Sequence, residues 1–370
     1  MSVQVSVKRQ FVMGIVIILI FVAGVEGIVR GWEFFVLGCR PATSDAYEDM
    51  NYLLVRQICL DVRFLQFTEP DVVSNKSDQH MSTININSYG IRGPEFPIDK
   101  PDNTYRIIIV GGSTTFGHGA SSDDTTMPAF IQKKFDSENI PMDVHVINAG
   151  VNSLYSFTEI YHIKNKLMKF EPDFIINYGG ANDADLYIPE PIVRSEQDFK
   201  EEESSFKFRN YPQYRTPFAI FSIFFAQEYK EENFAERINP TENVVPAWKD
   251  RWIELCKDFK DSNTKIAIFV QPGLGTGNKE FSQVEKLYSQ GWTDHEFRTL
   301  KNLDGFAKSL PELGKHCDYV SDVRDTFDDH AIPIYWDRFH VTDNGNKIVA
   351  DRLFEEIYPL VIQDMSEITE

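Results

Sequence analysis

An α/β fold built on a parallel sheet covered on both faces is predicted by three observations. Short runs rich in Ile and Val recur from Arg106 onward. Longer amphipathic stretches, with apolar residues recurring at three and four, lie between them. Each short run also stops abruptly at Gly, Pro or Asp, as a strand does where it enters a turn. Strands alternating with helices form right-handed βαβ units, and their strands, buried on both sides, read as continuous apolar runs. With 370 residues, 42% hydrophobic and 13% aromatic, the chain can bury a large core. A net charge of -19 repels phosphate backbones and leaves no basic footprint, so nucleic acid is not an expected partner.

Residues 1–30 come first. Lys8 and Arg9 precede "FVMGIVIILIFVAGVEGIV", Phe11 to Val29, broken by Glu26 and closed by Arg30. As a helix this run is about 28 Å long, close to one bilayer core. Basic residues at its front keep the N-terminus in the cytoplasm and send the rest outward. The reading is an uncleaved signal anchor, a transmembrane helix that tethers the following domain to the membrane on the extracytoplasmic side. Cleavage after Ala23 and Gly24, or lipidation of Cys39 in "VLGC", would also export the domain. Arg30 and Glu33 interrupt the apolar run and weaken the lipidation reading. A buried core helix would keep it inside.

Residues 31–104 form an N-terminal extension, expected as loops and short strands packed on the domain that follows. It carries one glycosylation sequon, Asn75-Lys76-Ser77. The four cysteines, Cys39, Cys59, Cys256 and Cys317, include no C-x-x-C pair and no His at ligand spacing, so neither a metal nor a cofactor is expected. Outside the cell, Cys39 with Cys59 and Cys256 with Cys317 is the least demanding pairing; free buried thiols are the alternative.

The domain proper spans 105–365. "RIIIV" (106–110), "DVHVINAG" (143–150), "DFIINYGG" (173–180), "KIAIFVQPG" (265–273) and "CDYVSDV" (317–323) read as strands. "MPAFIQKKF", "FTEIYHIKNKLMKF" and "AWKDRWIELCKDF" read as helices. An insertion at about 184–245 interrupts the alternation with an acidic run at Glu201–Glu203 and the apolar "PFAIFSIFFAQ", Pro217 to Gln227. That run is too short to span a bilayer. A helix packed on the domain is the first reading, a lid or a membrane-resting surface the second.

Ligands of open parallel sheets bind at the carboxyl ends of strands. Ser113 lies there, just past the first strand, where Gly111 and Gly112 allow a tight turn. "GGSTTFGHG" has neither the Gly-Lys-Ser/Thr of a phosphate loop nor the Gly-x-Gly-x-x-Gly of a dinucleotide site. The second strand ends in "NAGVNS" with Gly150 and the third in "GGAND" with Asn182, so backbone and side-chain N–H groups from neighbouring strand ends can converge as an oxyanion hole. Near the C-terminus, "YWDRFHVTDNGNKIVADRL" places Asp337 three residues before His340, ahead of a helix starting near Thr342 to Asn344. A carboxylate on one side of an imidazole and a serine on the other is what activates a hydroxyl nucleophile.

This ordered set, Ser113 in "GGST", Gly150 in "NAGVNS", Asn182 in "GGAND" and Asp337 with His340 in "DRFH", resembles the four blocks of the SGNH hydrolases, also called GDSL esterases and lipases. The resemblance covers roughly Tyr105 to Ile357. It implies a three-layer α/β/α domain of flavodoxin-like type around a five-stranded parallel sheet. It further implies Ser113 as nucleophile and oxyanion donor, Gly150 and Asn182 as the other donors, His340 as base and Asp337 as its orienter. Gly112 stands where many members carry aspartate, a departure outside the chemical roles. "ININSYGIRG" (84–93) is similar to a segment that precedes the serine block in exported members. Its Asn87, Gly90 and Arg92 are read first as a turn joining the extension to the sheet, and second as lining the site. His118 is placed on the loop rim, and His330 lacks a carboxylate three residues before it.

The expected activity is an exported serine esterase that removes acyl groups, acetyl foremost, from a carbohydrate or a small ester-bearing molecule. Transfer of the acyl group to a surface polysaccharide, and glycan binding or a structural role without turnover, are the alternatives. The acidic balance favours neutral glycans or small esters over polyanions.

Overall fold

Thr104–Val110 (β1) is buried at every position, as a strand covered on both faces must be. The computed structural model describes residues 6–35, 38–68, 74–185 and 244–369. Around β1 run Asp143–Asn148 (β2), Phe174–Gly179 (β3), Lys265–Val270 (β4) and Tyr319–Asp322 (β5). They form one five-stranded sheet in the order β2-β1-β3-β4-β5, every pair parallel. The winding reverses between β1 and β3, so the carboxyl ends of these two strands flank the crevice where such sheets take ligands.

Alternation along the strands sorts side chains into two cores. Ile108 and Val110, with Ile175, Ile268 and Val270, pack against Trp248 and Trp252 of Val244–Asp258 and Leu303 and Phe306 of Asp294–Leu313. Ile107 and Ile109, with Ile176 and Phe269, pack against Ile131 and Phe135 of Met127–Ser137 and Leu353 and Ile357 of the C-terminal helix Asp343–Thr369. The expected three layers and five parallel strands are therefore present. The stretch read as one helix over 157–170 is different. It is α-helical over Ser156–His162, widens to a π turn over Ile163–Leu167 and tightens over Met168–Phe170, which brings Ile163, Leu167 and Phe170 all into the first core.

The extension holds short strand pairs, as expected, and also a helix the sequence reading passed over, Tyr52–Phe64. Its signals were present: Asn51 caps it by accepting from the N–H groups of Leu53 and Leu54. Asn75 of the sequon is buried, and its amide donates to the carbonyls of Gly90 (3.3 Å) and Gly150 (3.4 Å), so the folded chain offers no free acceptor there.

Two bodies make up the chain. One contains the helix Val7–Phe35, whose Val7–Gly31 stretch, with a mean hydropathy of 2.7, is long and apolar enough to cross a membrane. A membrane span and a signal sequence share those properties. The other begins at Arg40 and contains the sheet. Cys256 is bonded to Cys317, 61 residues away, and no cysteine is free. Residues 186–243, with the acidic run and Pro217–Gln227, lie outside the described residues.

Candidate active site

Gly111 and Gly112 end β1 in a turn that no side chain fits. A Cβ on Gly111 would stand 2.3 Å from the Tyr178 carbonyl oxygen, and one on Gly112 would stand 2.5 Å from Asn182 Nδ2. The second contact gives a physical reason for glycine at position 112: Asn182 occupies that space. Ser113 then opens a one-turn helix, Ser113–Phe116. Its N–H belongs to the first turn, where no intrahelical acceptor exists, and the residue remains partly exposed.

Asp337 and His340 ride on a loop closed at its base. Thr342 N–H donates to Ile334 O (3.2 Å) and Trp336 N–H to His340 O (3.1 Å). Buried Glu285, paired with Lys279 at 2.7 Å, also accepts from the N–H groups of Ile334 and Tyr335. Within the loop, Asp337 Oδ1 accepts from Phe339 N–H (2.9 Å) and His340 N–H (2.8 Å), while Oδ2 lies 2.7 Å from His340 Nδ1. A carboxylate only accepts, so Nδ1 carries the ring proton and Nε2 is left as an acceptor. Nε2 lies 2.7 Å from Ser113 Oγ. Burial works against ionising Asp337, yet the His340 imidazole and the two backbone donors outweigh it and hold the carboxyl well below the usual range.

Of the five expected residues, the structure joins Ser113, His340 and Asp337 in one hydrogen-bonded line and sets Asn182 beside it. Asn182 Nδ2 donates to Leu154 O at 2.5 Å, which spends one of its two hydrogens and fixes the amide plane. The Gly150 N–H donates to Asn148 Oδ1 at 3.1 Å. A Cβ on Gly150 would stand 2.2 Å from Phe116 N, so glycine is required there to seat the serine's turn. Gly150→Ala is accordingly expected to destabilise the fold by about 3 kcal/mol, read as a shift in the urea midpoint, because backbone cannot rotate out of the way.

The extension braces this turn from behind. Buried Arg92 donates from Nη1 to the carbonyls of Phe116 (3.0 Å) and Gly117 (2.9 Å) and pairs with Asp123 at 2.8 Å. Asn87 forms the turn, accepting from Gly90 N–H (3.0 Å), and Gly90 takes a φ of +74°. The joining role foreseen for this segment is the one it has. His118 lies against the His340 ring, centroids 4.6 Å apart, and burial with the neighbouring His340 pushes its pKa down to about 3, so it stays neutral. His330 N–H closes a local turn on Phe327 O.

Sequence reading missed Gln271 and Glu159. Gln271 is buried just past β4, and its Oε1 accepts from Thr114 Oγ1 at 2.9 Å. The strand-end rule that found Ser113 points to it as well. Glu159 gave no such signal. It is 2% exposed, lines the cavity, and accepts from Asn177 Nδ2 at 2.9 Å through Oε2. Burial and the nearby Asp183 raise its pKa well above the ordinary value, against the pull of Asn177. Here the native state keeps a proton that the unfolded chain loses, so stability falls as pH rises past the unfolded carboxyl value. Glu159→Gln should therefore melt higher than wild type at pH 8, with the difference gone near pH 4. Among the described residues no cluster of three or more potential ligands could hold a metal ion.

No family model matches the chain, and no curated protein matches it. Among solved structures, an acetylxylan esterase from Geobacillus stearothermophilus is similar over 68% of this chain and 94% of its own, at 14% identity and a TM-score of 0.42. A second acetyl xylan esterase, AlAXEase, is similar over 68% and 99%, at 12% and 0.42. A lipase/acylhydrolase from Enterococcus faecalis is similar over 68% and 95%, at 13% and 0.41.

Proposed function

We propose that the protein is an SGNH-type serine esterase that cleaves short acyl esters, acetyl foremost, of a neutral carbohydrate or small molecule. The observation that carries this reading is the 2.7 Å approach of His340 Nε2 to Ser113 Oγ, with Asp337 on the other ring nitrogen.

Ser113 Oγ attacks the acyl carbon while its proton passes to His340 Nε2. The carbonyl oxygen gains negative charge, which the Ser113 N–H and the second hydrogen of Asn182 Nδ2 stabilise. Collapse expels the alkoxide, which takes the proton back from Nε2 and leaves as the alcohol. A water molecule then gives a proton to Nε2, its oxygen attacks the acyl-Ser113 carbonyl, and the carboxylic acid departs as Ser113 recovers its hydrogen. Asp337 stays ionised throughout and stabilises the imidazolium. The Cys256–Cys317 bond, of a kind that persists in oxidising surroundings, supports export of this domain through the N-terminal helix.

A fluorophosphonate probe tests the nucleophile directly. The full chain in detergent should gain one probe mass on Ser113, and the Ser113→Ala chain none. Unlabelled, well-folded wild type would end the hydrolase reading and bring forward glycan binding without turnover.

A further inference from the structure

The cavity beside Ser113 is lined by Asn182, Gly179, Gly180 and Glu159 as well, and its volume is only about 30 Å³. Such a volume sits below the range of pockets that hold drug-sized ligands. Glu159, 2% exposed, lines the cavity from Ser156–His162 and is held by Asn177 through Oε2. Its other oxygen, Oε1, lies 3.5 Å from where a Cβ on Gly179 would stand. Gly179, which ends β3, and the following Gly180 line the same cavity, and the Glu159 carboxyl stands beside Gly179.

We infer that Glu159 is the floor of the acyl subsite and sets the length of the acyl group the enzyme accepts. The inference rests on the esterase reading above and deepens it. An acetyl group attached to Ser113 has its methyl in the cavity, short of Glu159. A butyryl group has two more carbons, which meet the carboxyl. Long chains are rejected by volume and by the cost of pressing apolar carbons against a buried polar group. Retention of a proton by Glu159 suits this role, because a neutral acid is far less costly to hold beside an acyl chain than a carboxylate.

The test is a series of p-nitrophenyl acetate, propionate and butyrate with the full chain, reading the ratios of kcat/KM. Wild type should favour acetate over butyrate by at least tenfold, within the range of about 10–200-fold that one or two methylenes command in a closed pocket. Glu159→Ala should raise the butyrate-to-acetate ratio by about tenfold or more, and Glu159→Gln, equal in size, should hold that ratio within threefold. Thermal unfolding checks that each variant is folded. Glu159→Asp, which keeps the acid and gives up one methylene, should raise the propionate ratio and serves if the alanine variant does not fold. A flat profile in wild type, or a folded alanine or aspartate variant with unchanged ratios, overturns the assignment. Because the probe on Ser113 is read in the same samples, a labelled enzyme with a flat profile removes only the floor. An unlabelled wild type removes the esterase reading and the floor with it.

Discussion

Ser113→Ala should cost about 10⁶-fold in kcat on an acetyl ester, the scale at which loss of a triad nucleophile falls. The residue is partly exposed and, among the described residues, its hydroxyl pairs with His340 Nε2, so the change should leave the melting temperature where it was. Asn182 and the backbone N–H at position 113 remain, and with them a residual acceleration of about 10³–10⁴ over water. Burst kinetics should vanish along with turnover, since no acyl-enzyme can form. Steady-state assays beside a differential scan separate this outcome from misfolding. A folded alanine variant that still turns over at more than a hundredth of the wild-type rate would sink the assignment of Ser113 as nucleophile.

Asp337→Asn should cost about 10⁴-fold in kcat while the loop keeps its shape. The amide oxygen can still accept from Phe339 and His340 N–H, as Oδ1 does now at 2.9 and 2.8 Å. What changes is the face toward the imidazole. An N–H in place of Oδ2 drives the ring proton from Nδ1 to Nε2, and Nε2 then has no lone pair for the Ser113 hydroxyl. The loss should ease at high pH, where hydroxide attack bypasses the base. In wild type the depressed pKa of Asp337 keeps its contribution present at every pH above the ordinary carboxyl range, and it fades only as pH falls toward the folded value.

These two residues were legible in the sequence because each sits at a place that physics marks. A strand buried on both faces must read as a continuous apolar run, and "RIIIV" ending in two glycines leaves Ser113 at the crevice. Asp337 and His340 make their contact inside one short loop, so spacing alone carried it. Gly150 was legible as a necessary glycine, and the Phe116 backbone adds a steric reason that the sequence does not show. Glu159 was hidden for a different cause. It stands in an amphipathic pattern where an acid reads as solvent-facing, and only β3 packing against that helix turns it inward to Asn177. The helix Tyr52–Phe64 was lost to composition, its cap at Asn51 outweighed by the polar segments around it.

The loop from Ile334 to Thr342 has one more implication, which concerns time. Aspartate and imidazole are paired by their own neighbours, but the serine they serve lies 227 positions earlier in the chain. As the polypeptide is made, the nucleophile emerges long before its base, and the sheet must gain its last two strands before the loop has anywhere to dock. Until then Ser113 is an ordinary alcohol. On the esterase reading proposed above, the chain is chemically silent while it is being synthesised, and its reactivity begins only with the completed fold.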